Sequence, residues 1–162
     1  MRLFTRLCTL RKKHSLLLDR PLYINPFFQS QAKMSSALTQ VLASSVAIAD
    51  RAGDIVRDIM KKGELGIVEK TGADDLQTQA DRSAQNCIVA SLAKQFPDLT
   101  VVGEEGEQDL SGVPDEWIVT KADSEAVKVF CPEQFKSVTM KDLTVWVDPL
   151  DGTKEYTQVQ DQ

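Results

Sequence analysis

Residues 143–153 read LTVWVDPLDGT. The apolar part, residues 143–147, predicts a buried strand, because β-branched and aromatic side chains suit a pleated, packed surface and an Asp-Pro pair then ends it. A similar apolar run at residues 99–102 predicts a second strand, which stops at a glycine and is followed by the acidic pair at 104–105. Two predicted strands therefore each end in acidic residues.

Two amphipathic helices are expected before these strands. Over residues 36–62 the apolar side chains recur at i, i+3, i+4 and i+7, with Ser35 or Ser36 available as the N-cap and Gly63 as the end signal. A second helix is expected over residues 79–96. The remaining stretches predict a short strand or connector at 66–70, a loop at 106–115 and mixed structure at 116–141. Helices that precede strands predict layered α/β packing, in which functional sites collect beyond the strand ends.

The composition is that of an ordinary globular domain. The 162 residues carry a formal net charge of −5, with 42% apolar and 27% charged residues. No apolar run reaches the roughly 18 residues that a membrane helix needs, and an acidic chain binds nucleic acid poorly, so neither a membrane nor a nucleic acid is an expected partner. Three distant cysteines give neither a disulfide framework nor zinc-site spacing, and the expected location is cytoplasmic.

Residues 1–33 differ from the rest of the chain in charge. They contain seven basic side chains and one acidic side chain, which leaves 12 of the 19 basic and 23 of the 24 acidic side chains for residues 34–162. Three interpretations of this basic leader stay open: a mitochondrial targeting presequence, a disordered arm, or sequence upstream of a translation start at Met34. The chain is therefore divided into a leader at 1–33 and a folded region at 34–162.

The acidic motif after residue 147 concentrates oxygen atoms. Asp148 and Asp151 are three positions apart, and like charges so close are disfavoured unless a cation neutralises them. Hard oxygen ligands of this kind suit Mg²⁺ or Mn²⁺ rather than zinc. Gly152 lets the backbone approach closely, and Thr153 offers a hydroxyl that can hold a water molecule. A structural alternative stays open, since an Asp-Pro turn followed by a capped helix gives the same pattern.

The spacing of this motif excludes the haloacid-dehalogenase phosphatases. Their two aspartates are separated by one residue, whereas two residues separate Asp148 from Asp151. In an extended segment one added residue moves a side chain to the opposite face, so the catalytic pair of that family does not align here.

Four stretches carry a family resemblance. Residues 147–153 (VDPLDGT) resemble the signature of the lithium-sensitive, Mg²⁺-dependent phosphomonoesterases of the inositol monophosphatase-like superfamily. Residues 63–71 (GELGIVEKT), 75–82 (DLQTQADR) and 154–157 (KEYT) are similar to the 3′(2′),5′-bisphosphate nucleotidases. The resemblance covers residues 37–157. It implies that the folded region is the amino-terminal part of an inositol monophosphatase-like phosphatase domain, an incomplete portion of an αβαβα sugar-phosphatase-type fold.

The resemblance also implies a metal centre. Glu104 matches the family's metal-binding glutamate, and Asp148 matches the carboxylate shared between two metals. Leu150 would donate its backbone carbonyl to the first metal, and Asp151 would ligate the second. The implied cofactor is Mg²⁺, with two or three ions in the complete enzyme.

Asp81 and Thr153 match the family's catalytic pair, which orients and deprotonates the attacking water. A structural interpretation of Asp81 stays open, because Thr78-Gln79-Ala80-Asp81 resembles a capping box that begins a helix. Both roles are compatible. Glu105 is interpreted either as support for the site behind Glu104 or as an exposed residue, and Trp146 and Cys87 are expected in the core.

The resemblance implies an enzyme that uses a metal-activated water to remove the 3′-phosphate from adenosine 3′,5′-bisphosphate, giving AMP, and from 3′-phosphoadenylyl sulfate. An inositol phosphate phosphatase is the alternative within the superfamily, with inositol bisphosphates as further candidate substrates. A non-catalytic metal-binding fragment is the alternative from another class. The sequence contains no W-D-x-A-type motif, which supplies a further metal-binding aspartate in the family. The 162-residue chain alone is therefore expected to be inactive.

Overall fold

The computed structural model describes residues 36–63, 66–69, 76–107 and 109–153. The helices and strands are α1 (Ala37–Lys62), β1 (Val68–Glu69), β2 (Leu76–Gln77), α2 (Gln79–Gln95), β3 (Thr100–Gly103) and β4 (Thr144–Val147). Between β3 and β4 the described residues form single 3₁₀ turns at Asp115–Trp117, Ala126–Lys128, Glu133–Phe135 and Met140–Asp142. Both predicted helices and both predicted strands are confirmed within about one residue at their ends. The basic leader at 1–33 and the motif at 154–157 lie outside the described residues.

Helix α1 begins and ends at the residues that the sequence indicated. The Ser36 hydroxyl accepts a hydrogen bond from the Thr39 backbone nitrogen at 3.2 Å, which satisfies one of the unpaired N–H groups of the first turn. Gly63 follows the last turn with a φ of 75°, a left-handed conformation that glycine adopts without strain. None of the helices in the described part of the chain is long and apolar enough to cross a membrane.

Helix α2 packs against α1, and the two share one apolar core. Cys87 on α2 lies in this core, and its thiol donates to the Trp117 carbonyl oxygen at 3.2 Å. Burial raises the pKa of the Cys87 thiol to about 11. Cys87 therefore packs as an apolar side chain, as predicted.

The strands form two small sheets. Strands β1 and β2 are antiparallel, with Val68 opposite Gln77. Strands β3 and β4 are parallel, with Thr100 opposite Thr144 and Gly103 opposite Val147. The carboxyl ends of β3 and β4 therefore meet at the same edge, next to the helical layer that covers one face of the sheet.

Trp146 lies on the exposed face of β4, not in the core as predicted. It is 52% exposed, whereas its neighbours Val145 and Val147 are buried in the core shared with the helices. Successive side chains of a strand point to opposite faces, so only the two valines can face the helical layer. The prediction of a core tryptophan was wrong because an apolar run does not reveal whether one or both faces of its strand are covered.

Candidate active site

The site begins where β3 and β4 end. The Glu104 backbone nitrogen donates to the Val147 carbonyl oxygen at 2.9 Å, which extends the parallel pairing by one step beyond Gly103 and Val147. Glu104 and Asp148 are therefore the first residues after two adjacent strands. The structure places these two predicted metal ligands at neighbouring positions of one sheet edge.

A tight turn follows Asp148. Pro149 and Leu150 are buried, and Asp151 is exposed. Gly152 has a φ of 84°, which a residue with a Cβ adopts only with strain. This turn brings the Thr153 hydroxyl oxygen to 3.1 Å from the Leu150 carbonyl oxygen.

Asp81 joins this turn to the start of α2. The Thr153 hydroxyl donates to Asp81 Oδ1 at 2.8 Å, although the two residues are 72 positions apart. Asp81 is 1% exposed, and its other oxygen, Oδ2, accepts from the Thr78 backbone nitrogen at 2.7 Å and from the Thr78 hydroxyl. One oxygen thus completes a capping box, and the other accepts a hydrogen bond from Thr153. The helix-capping contact and a direct contact between the two predicted catalytic residues are both present.

Replacing Thr78 with Ala is expected to lower the free energy of unfolding by about 2 kcal/mol, because it removes an N-cap and a donor to a buried carboxylate. Thr139 is the matched control, since its hydroxyl donates to Asp142 Oδ2 at 2.7 Å in a similar but exposed capping box. Thr139→Ala should cost no more than about 0.5 kcal/mol. Urea unfolding measures the free energy of unfolding of both variants. Equal decreases in the two variants would contradict the expected difference.

The predicted metal ligands fit a divalent cation in their chemistry. Glu104, Asp148 and Asp151 supply carboxylates and Leu150 supplies a carbonyl, all hard oxygen donors of the kind that Mg²⁺ prefers. Over the residues that the structure describes, no group of three or more His, Cys, Asp and Glu side chains lies close enough to hold a metal ion. Mg²⁺ is commonly held by one or two carboxylates together with water and substrate phosphate. Glu104 and Asp148, at the adjacent ends of β3 and β4, supply two carboxylates.

Two glutamines hold the turn at residues 103–106, which we call the Glu104 turn. The Gln77 side-chain nitrogen donates to the Glu105 carboxylate, and the Arg82 guanidinium donates to Gln77 Oε1 at 3.0 Å. Gln85 bonds to the backbone of the same turn. Glu105 is thus part of the network behind Glu104 rather than simply exposed. The one sequence signal for Gln85 is its position four residues after Asp81, on the same face of α2.

Comparison with known proteins places the chain in a family. The family model of the inositol monophosphatases matches residues 37–162. The chain belongs to the inositol monophosphatase family. Its helices, strands and small parallel sheet confirm the predicted α/β class for this member of the family.

Curated relatives of this inositol monophosphatase family member include bisphosphate phosphatases. The chain is 50% identical over 127 residues to 3′(2′),5′-bisphosphate nucleotidase 1 of Homo sapiens, covering 78% of this chain and 41% of the human protein. It is 35% identical over 120 residues to the protein of the same name from Dictyostelium discoideum, covering 74% and 38%. It is 30% identical over 125 residues to the Golgi-resident adenosine 3′,5′-bisphosphate 3′-phosphatase of Mus musculus, covering 75% and 34%. The chain thus spans about two fifths of the human protein's length.

Proposed function

We propose that this chain belongs to a Mg²⁺-dependent phosphomonoesterase that removes the 3′-phosphate from adenosine 3′,5′-bisphosphate, giving AMP, and from 3′-phosphoadenylyl sulfate. The observation that supports this most is the hydrogen bond between Thr153 and buried Asp81, beside the strand ends that present Glu104 and Asp148. The names of the relatives, which specify bisphosphate nucleotidase and adenosine 3′,5′-bisphosphate 3′-phosphatase, support the choice of substrate.

The cation would be held by the carboxylates of Glu104, Asp148 and Asp151 and by the Leu150 carbonyl. When bound, Mg²⁺ would supply Lewis-acid stabilisation of the charge that develops on the phosphoryl oxygens. The exposed positions of Glu104 and Asp151 leave this edge open to a small phosphate ester.

Thr153 and Asp81 would orient and deprotonate the attacking water. Because the Thr153 hydroxyl donates to Asp81 Oδ1, its oxygen lone pairs remain able to accept a hydrogen bond from water. The water oxygen would form the new bond to phosphorus as the bond between phosphorus and the ribose 3′ oxygen breaks. The water proton would pass to Thr153 Oγ1, and the Thr153 proton would pass to Asp81 Oδ1. The ribose 3′ oxygen would leave with the bonding electron pair and take a proton from solvent water. Thr78 holds Asp81 Oδ2, which fixes Oδ1 toward Thr153.

An inositol phosphate is the second candidate substrate, favoured by the family to which the chain belongs. A cytoplasmic location, with a mitochondrial one as the alternative, stays a prediction, since the basic leader lies outside the described residues. The absence of nucleic acid and membrane partners likewise stays a prediction.

The proposal is tested with a chimera, in which residues 37–162 of this chain replace the matching part of human 3′(2′),5′-bisphosphate nucleotidase 1. Phosphate release is measured from adenosine 3′,5′-bisphosphate, 3′-phosphoadenylyl sulfate, inositol 1-phosphate and inositol 1,4-bisphosphate, with Mg²⁺ and with or without Li⁺. We expect Mg²⁺-dependent, Li⁺-sensitive release, highest from the adenosine compounds. The 162-residue chain alone should release none. Preference for inositol phosphates would support the second candidate, and a folded chimera that releases no phosphate would contradict both.

A further inference from the structure

Gln85 is a buried amide whose partners are backbone groups of the Glu104 turn. It is 1% exposed, so each of its polar atoms needs a partner within the protein. Its Oε1 accepts from the Glu105 backbone nitrogen at 3.0 Å, and its Nε2 donates to the Gly106 carbonyl oxygen at 2.9 Å. One side chain of α2 therefore holds the backbone directly after Glu104.

The same amide packs against the backbone directly before Glu104. A Cβ at Gly103 would lie 2.3 Å from the Gln85 Cδ atom, and 2.4 and 2.5 Å from its Oε1 and Nε2 atoms. Only a residue without a side chain fits here while the amide keeps its place. Gln85 thus contacts the Glu104 turn on both sides of Glu104, while the Glu104 nitrogen itself bonds to β4.

We propose that Gln85 is a positioning residue that fixes Glu104 beside Asp148 for cation binding. Asp81 lies four residues earlier on the same helix, so one face of α2 sets both the Glu104 turn and the hydrogen bond to Thr153. The inference rests on the proposed function, since it takes Glu104 to be a cation ligand. Groups that orient a metal ligand through hydrogen bonds commonly change metal affinity when they are removed.

Gln95 supplies a matched control on the same helix. Its Oε1 accepts from the Ser44 hydroxyl at 3.0 Å, and its Nε2 donates to the Val119 carbonyl oxygen at 2.9 Å. Within the described part of the chain, the Gln95 amide makes two hydrogen bonds, as the Gln85 amide does, but to other segments. Removing either amide should therefore lower the stability of the protein. Only removal of the Gln85 amide should change the position of Glu104.

The test uses the full 162-residue chain with Gln85→Met or Gln95→Met, which keep the side-chain length but remove the amide. Hydrogen exchange of the Glu105 backbone amide is followed by NMR without metal, and Mn²⁺ affinity is measured by electron paramagnetic resonance. We expect Gln85→Met to speed Glu105 exchange at least about tenfold and to weaken Mn²⁺ binding by about 10- to 100-fold. Gln95→Met should leave Mn²⁺ affinity within about twofold of the unmodified chain.

A second pair of variants tests the same contact by changing the backbone side of it instead of Gln85. Gly103→Ala should displace the Gln85 amide and weaken Mn²⁺ binding similarly, whereas Gly112→Ala, where nothing lies within 4 Å of the added Cβ, should not. Faster Glu105 exchange with unchanged Mn²⁺ affinity in folded Gln85→Met or Gly103→Ala protein would overturn the inference, since the contact would then be structural only. Mn²⁺ binding by the unmodified chain that Glu104→Gln does not weaken would instead contradict the proposed function, and this inference with it.

Discussion

Replacing Asp148 with Asn in the chimera is expected to lower kcat/KM for adenosine 3′,5′-bisphosphate by about 10³-fold. The substitution keeps the shape of the side chain but removes the negative charge that would hold the cation. Because a bound cation contributes several kcal/mol to transition-state stabilisation and each ~1.4 kcal/mol changes the rate about tenfold, a loss of this size follows.

Asp115→Asn is the matched control for Asp148→Asn, since Asp115 is exposed at the start of a 3₁₀ turn. It should leave the rate within about twofold and the free energy of unfolding within about 0.5 kcal/mol. Steady-state phosphate release at several Mg²⁺ concentrations measures both variants. Near-normal turnover of the Asp148→Asn chimera at saturating Mg²⁺ would contradict the proposal that Asp148 is a cation ligand.

Replacing Thr153 with Val in the chimera is expected to lower kcat by about 10²- to 10⁴-fold, while the Mg²⁺ concentration for half-maximal activity changes no more than a few-fold. Valine keeps the approximate volume but loses the hydroxyl that orients the water and passes its proton to Asp81. Since Thr153 is not a proposed cation ligand, metal affinity should be largely preserved.

Thr139→Val is the control for Thr153→Val, because Thr139 also bonds to an aspartate but lies on the exposed turn before β4, at the opposite end of that strand from Asp148. Its kcat should match that of the unmodified chimera. Kinetics at saturating and limiting Mg²⁺ separate an effect on kcat from an effect on metal affinity. If Thr153→Val weakened metal binding and left kcat at saturating Mg²⁺ unchanged, Thr153 would have a structural role instead.

The local elements of this fold were predictable because their signals lie within a few residues. Helix α1 combines a repeating apolar stripe with a capping serine and a terminal glycine, and all three act locally. Strand β3 begins one residue later than predicted, because the Leu99 nitrogen bonds to the Phe96 carbonyl oxygen and so belongs to the turn after α2. The four 3₁₀ turns at 115–142 have no comparable periodicity, since each contains only three residues.

The long-range contacts of the site were accessible to sequence reasoning only in part. The local pattern at residues 78–81 indicated a capping box, whereas the partnership of Asp81 with Thr153, 72 positions away, followed from the family resemblance alone. Gln85 was not predicted because its partners are backbone atoms about 20 positions away. Every residue has a backbone N–H or C=O group, so the side chains of the partner residues do not indicate such a contact. Trp146 was misplaced because sequence does not state which strand face is covered.

The most direct measurement of the central claim is anomalous diffraction from crystals of the chimera grown with Mn²⁺ in place of Mg²⁺. The claim is that the carboxyl edge of β3 and β4 binds divalent cations beside the Asp81–Thr153 pair. The predicted result is an anomalous peak ligated by Glu104, Asp148 and the Leu150 carbonyl, with Thr153 facing it. Well-ordered Glu104 and Asp148 with no anomalous peak between them, at saturating Mn²⁺, would contradict the claim.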